Sequence, residues 1–513
     1  MIIAETSPPK GTVRDWLDHH AAERGDQISH LFPESGVSLT WSQMRESAAV
    51  IAGRLTALGV AKGESVALVL PNGQAGVTCL MGVLYGGFRV TPINLVAGVE
   101  AIRYALSHCR ARFSFVGHEQ RSLWNEAQPG SEIVRIGVGD KIDWPSEATA
   151  PLFPLEATDD ALLMYTSGTT GRPKGVVHTH ASLLAGGWTP TIAHRLTPAD
   201  RAMCVLPIYH INGLCVTVMG PLVSGGSVAM CSRFSASRFW QQCAVSGATW
   251  FSAVPTVISH LVHGDSTPDR GTCERLRFAR SASSALAAET QTAFERRFGV
   301  PIIETMGLTE TAAQILSNPL PPGTRKIGSP GLAYGNEVSI LGPDLGHLPV
   351  GEEGEIAVRG PNVMREYLRN PEATAETFAP GGWLRTGDLG RMDEDGYIFV
   401  TGRLKELIIK GGENVAPREI DEALYAHPDV VEAAAFARAC AHYGERVEAA
   451  VRLTTGSGAT PEELRDLCVR RVGDFKAPDV VYILPELPKG PSGKIQRLKI
   501  ADLTLPAVNE ASS

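Results

Sequence analysis

An α/β fold of at least two domains follows from three features of the sequence: its length, its alternation of strand-like and helix-like segments, and a change of character late in the chain. At 513 residues the chain exceeds the size at which one hydrophobic core keeps growing, and 43% apolar residues supply material for more than one. Helical and strand patterns alternate, as layered sheets and helices require. Thr40-Trp-Ser-Gln43 has the form of a capping box, opening a helical pattern over 44–58 that stops at Gly59. Residues 65–70 read as a buried strand, closed by the turn Pro71-Asn-Gly73. Similar units span 248–257 and 285–299, without internal repetition. After Gly387-Asp388, Asp393-Glu-Asp-Gly396 makes a charged turn, and 397–401 a short strand. The remainder reads as helix 417–425, strand 430–436, helix 461–472 and a strand near 480–484. The expected fold is a large N-terminal domain of layered β-sheets and helices with a small α+β C-terminal domain.

Composition narrows the class. A formal charge of −8 with no basic tract argues against a nucleic-acid partner. The first residues, Met1-Ile-Ile-Ala-Glu-Thr, lack a basic start and apolar core, so a cytoplasmic protein is expected. The most apolar segment, 214–230, is broken by Gly220, Pro221, Ser224, Gly225 and Gly226. That suits a buried strand and turn better than a membrane span, so no integral membrane association is expected. The nine cysteines never fall within four residues of one another, which leaves zinc-type pairing unsupported and buried free thiols as the reading.

The most informative string is Tyr165-Thr-Ser-Gly-Thr-Thr-Gly-Arg-Pro-Lys174-Gly175. A short apolar strand, 161–165, leads into it. Gly168 and Gly171 allow backbone N–H groups to approach an anion, while Thr166, Ser167, Thr169, Thr170 and Lys174 supply further donors. It reads as a phosphate-handling loop. The common nucleotide-loop spacing fails, because the two glycines are too close and Lys174 precedes glycine. Other strings carry comparable chemistry: Pro207-Ile-Tyr-His210, Met306-Gly-Leu-Thr-Glu310, Trp383-Leu-Arg-Thr-Gly-Asp388, Gly402-Arg403-Leu-Lys405 through Lys410-Gly411-Gly412-Glu-Asn414, and Pro491-Ser-Gly-Lys494-Ile-Gln-Arg.

In this order and together, these motifs resemble those of the adenylate-forming superfamily, which groups acyl-CoA synthetases, peptide-synthetase adenylation domains and beetle luciferases. The resemblance runs from about residue 41 to 497. It implies an AMP-forming acid–thiol ligase using ATP, Mg2+ and coenzyme A on a small carboxylic acid. It implies a boundary giving domains 1–402 and 403–513, the second mobile about a hinge at Lys405. The family pattern places Thr166 and Glu310 beside magnesium and Asp388 and Arg403 on the ribose. Thr309, Met306, Gly411 and Gly412 fall in nucleotide- or thiol-site motifs, with Lys410 positioning the ligand. Lys494 is the implied catalytic lysine, bridging the carboxylate and the α-phosphate. His210 would lie between acyl site and thiol tunnel.

Two departures bear on the outcome. Relatives commonly carry an aromatic residue where Met306 stands, which raises a ligase competent mainly in thioesterification of a preformed acyl-adenylate. A stand-alone enzyme loading a separate carrier protein is a second alternative, and a non-catalytic adenylate-binding protein a disfavoured third. Around the acyl site the chain is similar to oxalyl-CoA synthetases and, less closely, to carnitine-type CoA ligases. Asn212 and Ala313 stand where dicarboxylate-binding histidines are expected, and a second buried carboxylate without polar partners is costly. An apolar or cyclic monocarboxylic acid is therefore expected, in a pocket drawn from Asn212, Trp250, Phe251, Ser281, Ala282, Ser283, Gly307 and Leu308, with Trp188 close by. A homodimer is left open.

Overall fold

The computed structural model describes residues 7–127, 132–166, 173–440, 442–490 and 495–504. The capping box forms as written. Gln43 N donates to Thr40 Oγ1 at 3.2 Å, and Thr40 N donates to Gln43 Oε1 at 2.9 Å. The helix Trp41–Ala57 buries Trp41, Met44, Ile51 and Leu55. Past its end Gly59 takes a φ of +80°, and the chain turns into the strand Ser65–Val69. That strand is buried throughout and has parallel neighbours on both sides, Arg89–Pro92 and Phe113–Gly117. A continuous apolar run is what such a two-sided position demands.

Among the described residues two large sheets dominate. One has eight strands, in the order Glu366–Tyr367, Gly175–Thr179, Asp160–Tyr165, Arg89–Pro92, Ser65–Val69, Phe113–Gly117, Val134–Val138 and Ile142–Asp143. The other has nine, from Leu332–Ala333 through Ala313–Ser317, Ile302–Leu308, Phe278–Ser281, Trp250–Ala253 and Arg201–Cys204 to Ser227–Met230, Ile28–Phe32 and Val37–Thr40. The helices Trp41–Ala57, Gln74–Gly86 and His180–Ala193 lie in a core shared by both sheets, where Ile51, Leu80 and Leu184 pack in one cluster with Leu68, Trp250 and Phe278.

A third sheet, antiparallel and five-stranded, runs from Glu337–Leu341 to Ile398–Arg403. The sheets change between Arg403 and Ile408. Beyond that point Ile408–Lys410, Glu413–Val415, Val430–Cys440, Gly444–Leu453 and Val480–Ile483 form their own sheet. The helices Pro417–Tyr425 and Pro461–Val472 join it around a separate core that includes Ile408, Ile420, Leu424, Val447 and Leu464. This is the small α+β domain expected from the sequence.

The segment 214–230 differs from expectation. Asn212–Met219 winds as a π-helix and Gly220–Ser224 as an α-helix, and only Ser227–Met230 is strand. A buried apolar run satisfies its backbone as well in a helix as in a sheet, and Thr217 Oγ1 adds a bond to Gly213 O at 2.6 Å. All nine cysteines are free, and most are buried. No helix among the described residues is long and apolar enough to cross a membrane.

Candidate active site

The strand Asp160–Tyr165 and its antiparallel partner Gly175–Thr179 set the mouth of the glycine-rich loop. Tyr165 pairs with Gly175, and Thr166 N donates to Lys174 O at 2.9 Å, so Thr166 and Lys174 face each other across the opening. Ser167, Gly168, Thr169, Thr170 and Gly171 lie outside the described residues.

Lys174 is brought to a residue that the motifs did not single out. Its Nζ lies 4.6 Å from the centre of the Tyr367 ring, and Tyr367 Oη donates to Glu310 Oε1 at 2.8 Å. One aromatic ring thus links the loop lysine to the acidic residue of the second motif. Burial, and then the Glu310 charge, raise the Tyr367 pKa, so the phenol stays protonated and donates. Tyr367 reaches this position because Glu366–Tyr367 pairs with the strand Gly175–Thr179, with Tyr367 opposite Val176.

Glu310 and Thr309 sit in a 3₁₀ turn, Thr309–Thr311, between the antiparallel strands Ile302–Leu308 and Ala313–Ser317. The turn is fastened from outside. Met364 N donates to Glu310 O at 2.7 Å, and His178 Nε2 lies 2.7 Å from Thr309 O. His178 is buried, which lowers its pKa to about 4, so a neutral ring donating to that carbonyl is the consistent state. Ala312 and Ala313 take positive φ of 46° and 85°, conformations that L-residues hold only when surroundings impose them. Gly307 makes the hairpin possible, since a Cβ there would lie 1.7 Å from Ala313 O. Met306 and Leu308 pack on the third sheet's core.

On that third sheet Asp388 stands opposite Arg403. Arg403 Nε donates to Asp388 Oδ1 at 2.6 Å and Nη2 to Oδ2 at 3.4 Å, a fork that fixes the carboxylate plane while leaving lone pairs free. The pair fits recognition of a diol, which needs a short acceptor on a rigid strand.

His210 is positioned by its backbone, with its N–H on Pro207 O at 3.0 Å and its carbonyl taken by Leu214 N at 3.0 Å. The same loop is stapled by buried Asn72. Its Oδ1 accepts from Ile208 N at 2.8 Å, and its Nδ2 donates to Leu206 O at 3.0 Å and Cys231 O at 3.2 Å. The Pro-Asn-Gly string announced a turn but not this second task. A cavity of about 300 Å³ opens beside the loop, with Asn72, Pro207, Tyr209, His260 and Lys489 among its walls.

Of the expected acyl-pocket residues, Trp250 and Phe251 require correction. They are neighbours on a strand and point to opposite faces. Trp250 stacks on Phe278 at 5.5 Å, while Phe251 meets Phe239 edge-on at 4.9 Å in a different cluster. Both are core, because a strand covered on both sides spends every large side chain on packing. Trp188 is likewise buried. Ser281 and Ala282 are buried at a strand end, and Ser283 is exposed with a φ of +76°. Asn212 meets a buried Arg280, whose Nη1 donates to Asn212 Oδ1 at 2.8 Å.

Lys410, Gly411 and Gly412 are not joined to the Lys174–Glu310 group. They belong to the small domain's hairpin, where Lys410 Nζ donates to Phe475 O at 2.8 Å. Gly411 and Gly412 carry φ of +60° and +89°, so the turn itself requires glycine there. Lys405 is exposed between the third and fourth sheets. Lys494 lies outside the described residues, although Lys489 and Ile495 on either side form a β-bridge.

Lys174, Tyr367 and Glu310 are thus linked at the mouth of the glycine-rich loop, Asp388 and Arg403 pair on the third sheet, and a small α+β domain follows Arg403. The chain belongs to the AMP-binding enzyme family: residues 17–368 match that family's model and residues 419–494 match the AMP-binding enzyme C-terminal domain. It is 45% identical to a sulfoacetate–CoA ligase of Cupriavidus necator over 94% of this chain and 95% of that one. It is 34% identical to an oxalate–CoA ligase of Arabidopsis thaliana, covering 90% and 93% of the two chains. Among solved structures, ATP-bound MatB from Rhodopseudomonas palustris superposes with a TM-score of 0.87 at 29% identity, covering 96% of this chain and all of that one (100%).

Proposed function

We propose that the chain is an ATP-dependent acid:CoA ligase that makes an acyl-adenylate and then transfers the acyl group to the thiol of coenzyme A. The observation that carries this reading is the Lys174–Tyr367–Glu310 linkage at the mouth of the glycine-rich loop, joined in one large domain with the Asp388–Arg403 pair. In the first step a carboxylate oxygen of the acid attacks the α-phosphorus of ATP. The bond to the β-phosphate oxygen breaks, giving acyl-AMP and pyrophosphate. Negative charge approaches negative charge, so the barrier falls mainly through preorganised donors and cations.

Lys174 and residues 166–171 serve the β- and γ-phosphates, and Asp388, held by Arg403, accepts the ribose hydroxyls. Met306 packs against adenine through its thioether in place of an aromatic face. Lys494 bridges the reacting carboxylate and the α-phosphate. Thr166 and Glu310 offer one hydroxyl and one carboxylate. Among the described residues no group of three or more His, Cys, Asp or Glu converges into a metal cage. That donor set fits magnesium, which is bound by one or two carboxylates plus phosphates and water and would neutralise phosphate charge there.

In the second step the thiol sulfur attacks the acyl carbon, the bond to AMP breaks, and the thiol proton passes to water or phosphate. The small domain that follows Arg403 turns about Lys405, withdrawing Lys494 and presenting Lys410, Gly411 and Gly412. The cavity walled in part by Pro207 and Tyr209 suits the thiol's approach.

The acid itself is read differently once the fold is known. The apolar or cyclic monocarboxylate rested on Asn212 and Ala313 leaving no polar partner, but Asn212 carries a buried arginine. Trp250 and Phe251, meant as apolar walls, are core. The acids named for the two relatives above, sulfoacetate and oxalate, each carry two acidic groups. The test of the reading is an acid panel with ATP and CoA, detecting acyl-AMP and acyl-CoA separately by mass spectrometry. Acyl-CoA formation from at least one acid is expected. Acyl-AMP without CoA transfer would reassign the enzyme to carrier loading, and thioester only from supplied acyl-AMP would leave it a transferase.

A further inference from the structure

Arg280 is the largest charged side chain hidden among the described residues, with 1% of its surface exposed. It lies on the strand Phe278–Ser281, in the middle of the nine-stranded sheet. Its guanidinium meets only neutral acceptors. Nη1 donates to Asn212 Oδ1 at 2.8 Å and Ser252 Oγ at 3.0 Å, while Nε and Nη2 reach Gln314 Oε1 at 3.4 and 3.3 Å. Among the described residues no carboxylate pairs with it. Burial alone lowers its pKa to about 9, whereas an adjacent carboxylate would act in the opposite sense.

The other charged groups nearby do not answer it. Glu304 is buried on the next strand, but Ser281 is its register partner and Ile303 is that of Arg280. Glu304 therefore lies on the other face, accepting from Leu286 N at 3.1 Å. Asp200 is engaged by Arg277 at 2.6 Å. His194 is held neutral by burial and by the Arg280 and Arg277 charges.

A buried cation without a counter-charge is costly, by several kcal/mol even after relaxation. Two observations fix where an anion would complete it. The guanidinium has five N–H donors, four engaged by these neutral acceptors, which leaves one on Nη2. Asn212 Nδ2, a buried donor on the same group, has no hydrogen-bond partner among the described residues. Both lie beside candidate site residues: Asn212 is two positions after His210, Arg280 directly precedes Ser281, and Gln314 follows the Ala313 carbonyl that presses on Gly307.

We infer that Arg280, with Asn212, is the specificity-determining anion anchor of the acyl site, selecting small carboxylic acids that carry a second, distal anionic group, either carboxylate or sulfonate. The inference rests on the ligase reading for the fate of the first carboxylate. The second anion takes no part in bond making. It remains on Arg280 while the other end reacts with the α-phosphate.

Two measurements separate the inference from the reading beneath it. The first is calorimetric binding of acids to the full chain with α,β-methylene-ATP present, so that no transfer occurs. Malonate and sulfoacetate are compared with their neutral-ended counterparts monomethyl malonate and methylsulfonylacetate. The dianions should bind at least about 100-fold more tightly, the scale set by losing one partner of a buried charge pair. The malonate and sulfoacetate arms tell carboxylate from sulfonate. The second is turnover of the same four acids to acyl-CoA.

Arg280→Met should abolish the dianion preference while leaving the affinity for the ATP analogue unchanged. Asn212→Asp supplies a carboxylate from within, so the guanidinium network stays paired and the fold is kept while dianion binding is lost. Arg280→Lys should recover part of the preference. Equal binding of dianions and neutral-ended acids by the unaltered protein, or a preference that survives Asn212→Asp, would overturn the inference even with the ligase reading intact. Arg280-dependent dianion binding without any acyl-CoA would leave the anchor standing and remove the ligase reading.

Discussion

Tyr367 shows how a single side chain can join motifs that are far apart in sequence. Glu310 and Lys174 were legible because each sits in a string whose residue types state their chemistry. Tyr367 was not, because it stands 57 positions from Glu310 in an unremarkable Glu-Tyr-Leu context and reaches the site only through strand pairing. Arg280 escaped for a related reason: one arginine in a strand-like run reads as an edge residue until the sheet closes over it. Tyr367→Phe removes the hydrogen bond to Glu310 while keeping the ring under Lys174. The fold should lose about 1 kcal/mol at most. Acyl-AMP formation should fall about 10-fold, with the magnesium requirement shifted to higher concentration, since Glu310 loses the donor that orients it. A magnesium titration of pyrophosphate release checks this, and an unchanged magnesium dependence would detach Tyr367 from Glu310's work.

At the scale of elements, local chemistry set what could be read. Helices announced by proline at their first turn, Pro417–Tyr425 and Pro461–Val472, begin and end where the sequence places them, because proline and the flanking caps act within a few residues. The strand expected at 430–436 runs on to Cys440, since its length is set by a partner, Gly444–Leu453, that no local signal reveals. The same blindness turned 214–230 into a strand. Hairpin geometry near Glu310 is the opposite case, where one residue is indispensable. Gly307→Ala would place a methyl group 1.7 Å from Ala313 O, between two paired backbones with no flexible side chain to yield. The variant should be destabilised by on the order of 3 kcal/mol or more, or fail to fold. Urea denaturation compares it with Gly382→Ala, where a Cβ meets nothing within 4 Å and only the φ of +78° is strained.

For the molecule as a whole, buried histidines and the domain seam make separate predictions. His20, His30, His178 and His180 each have a pKa lowered to about 4, first of all by burial. Between pH 6.5 and 4 the unfolded chain binds protons that these folded sites refuse. Stability is therefore full above pH 6.5 and falls as pH drops through that window. Melting temperatures at pH 7.5, 6 and 5 in one ionic strength check the sign. The seam between the domains is polar: Arg418 reaches Val400 O at 2.7 Å and Gly328 O at 3.2 Å, and Ser259 Oγ donates to Val431 O at 3.0 Å. Such contacts are exchanged for water at little cost, so rotation about Lys405 is the expected behaviour. In the proposed alternation, one rotation that admits the Lys410-Gly411-Gly412 turn would withdraw Lys494. Lys494→Ala should then lose acyl-AMP formation by about 100-fold or more, the scale of removing one donor from a charged transition state. It should convert supplied acyl-AMP and CoA to thioester at close to the unaltered rate, because the proposed alternation runs that step with Lys494 swung away. Single-turnover measurements of each half-reaction decide it, and an equal loss in both would mean that the lysine serves one fixed arrangement and that the small domain does not alternate.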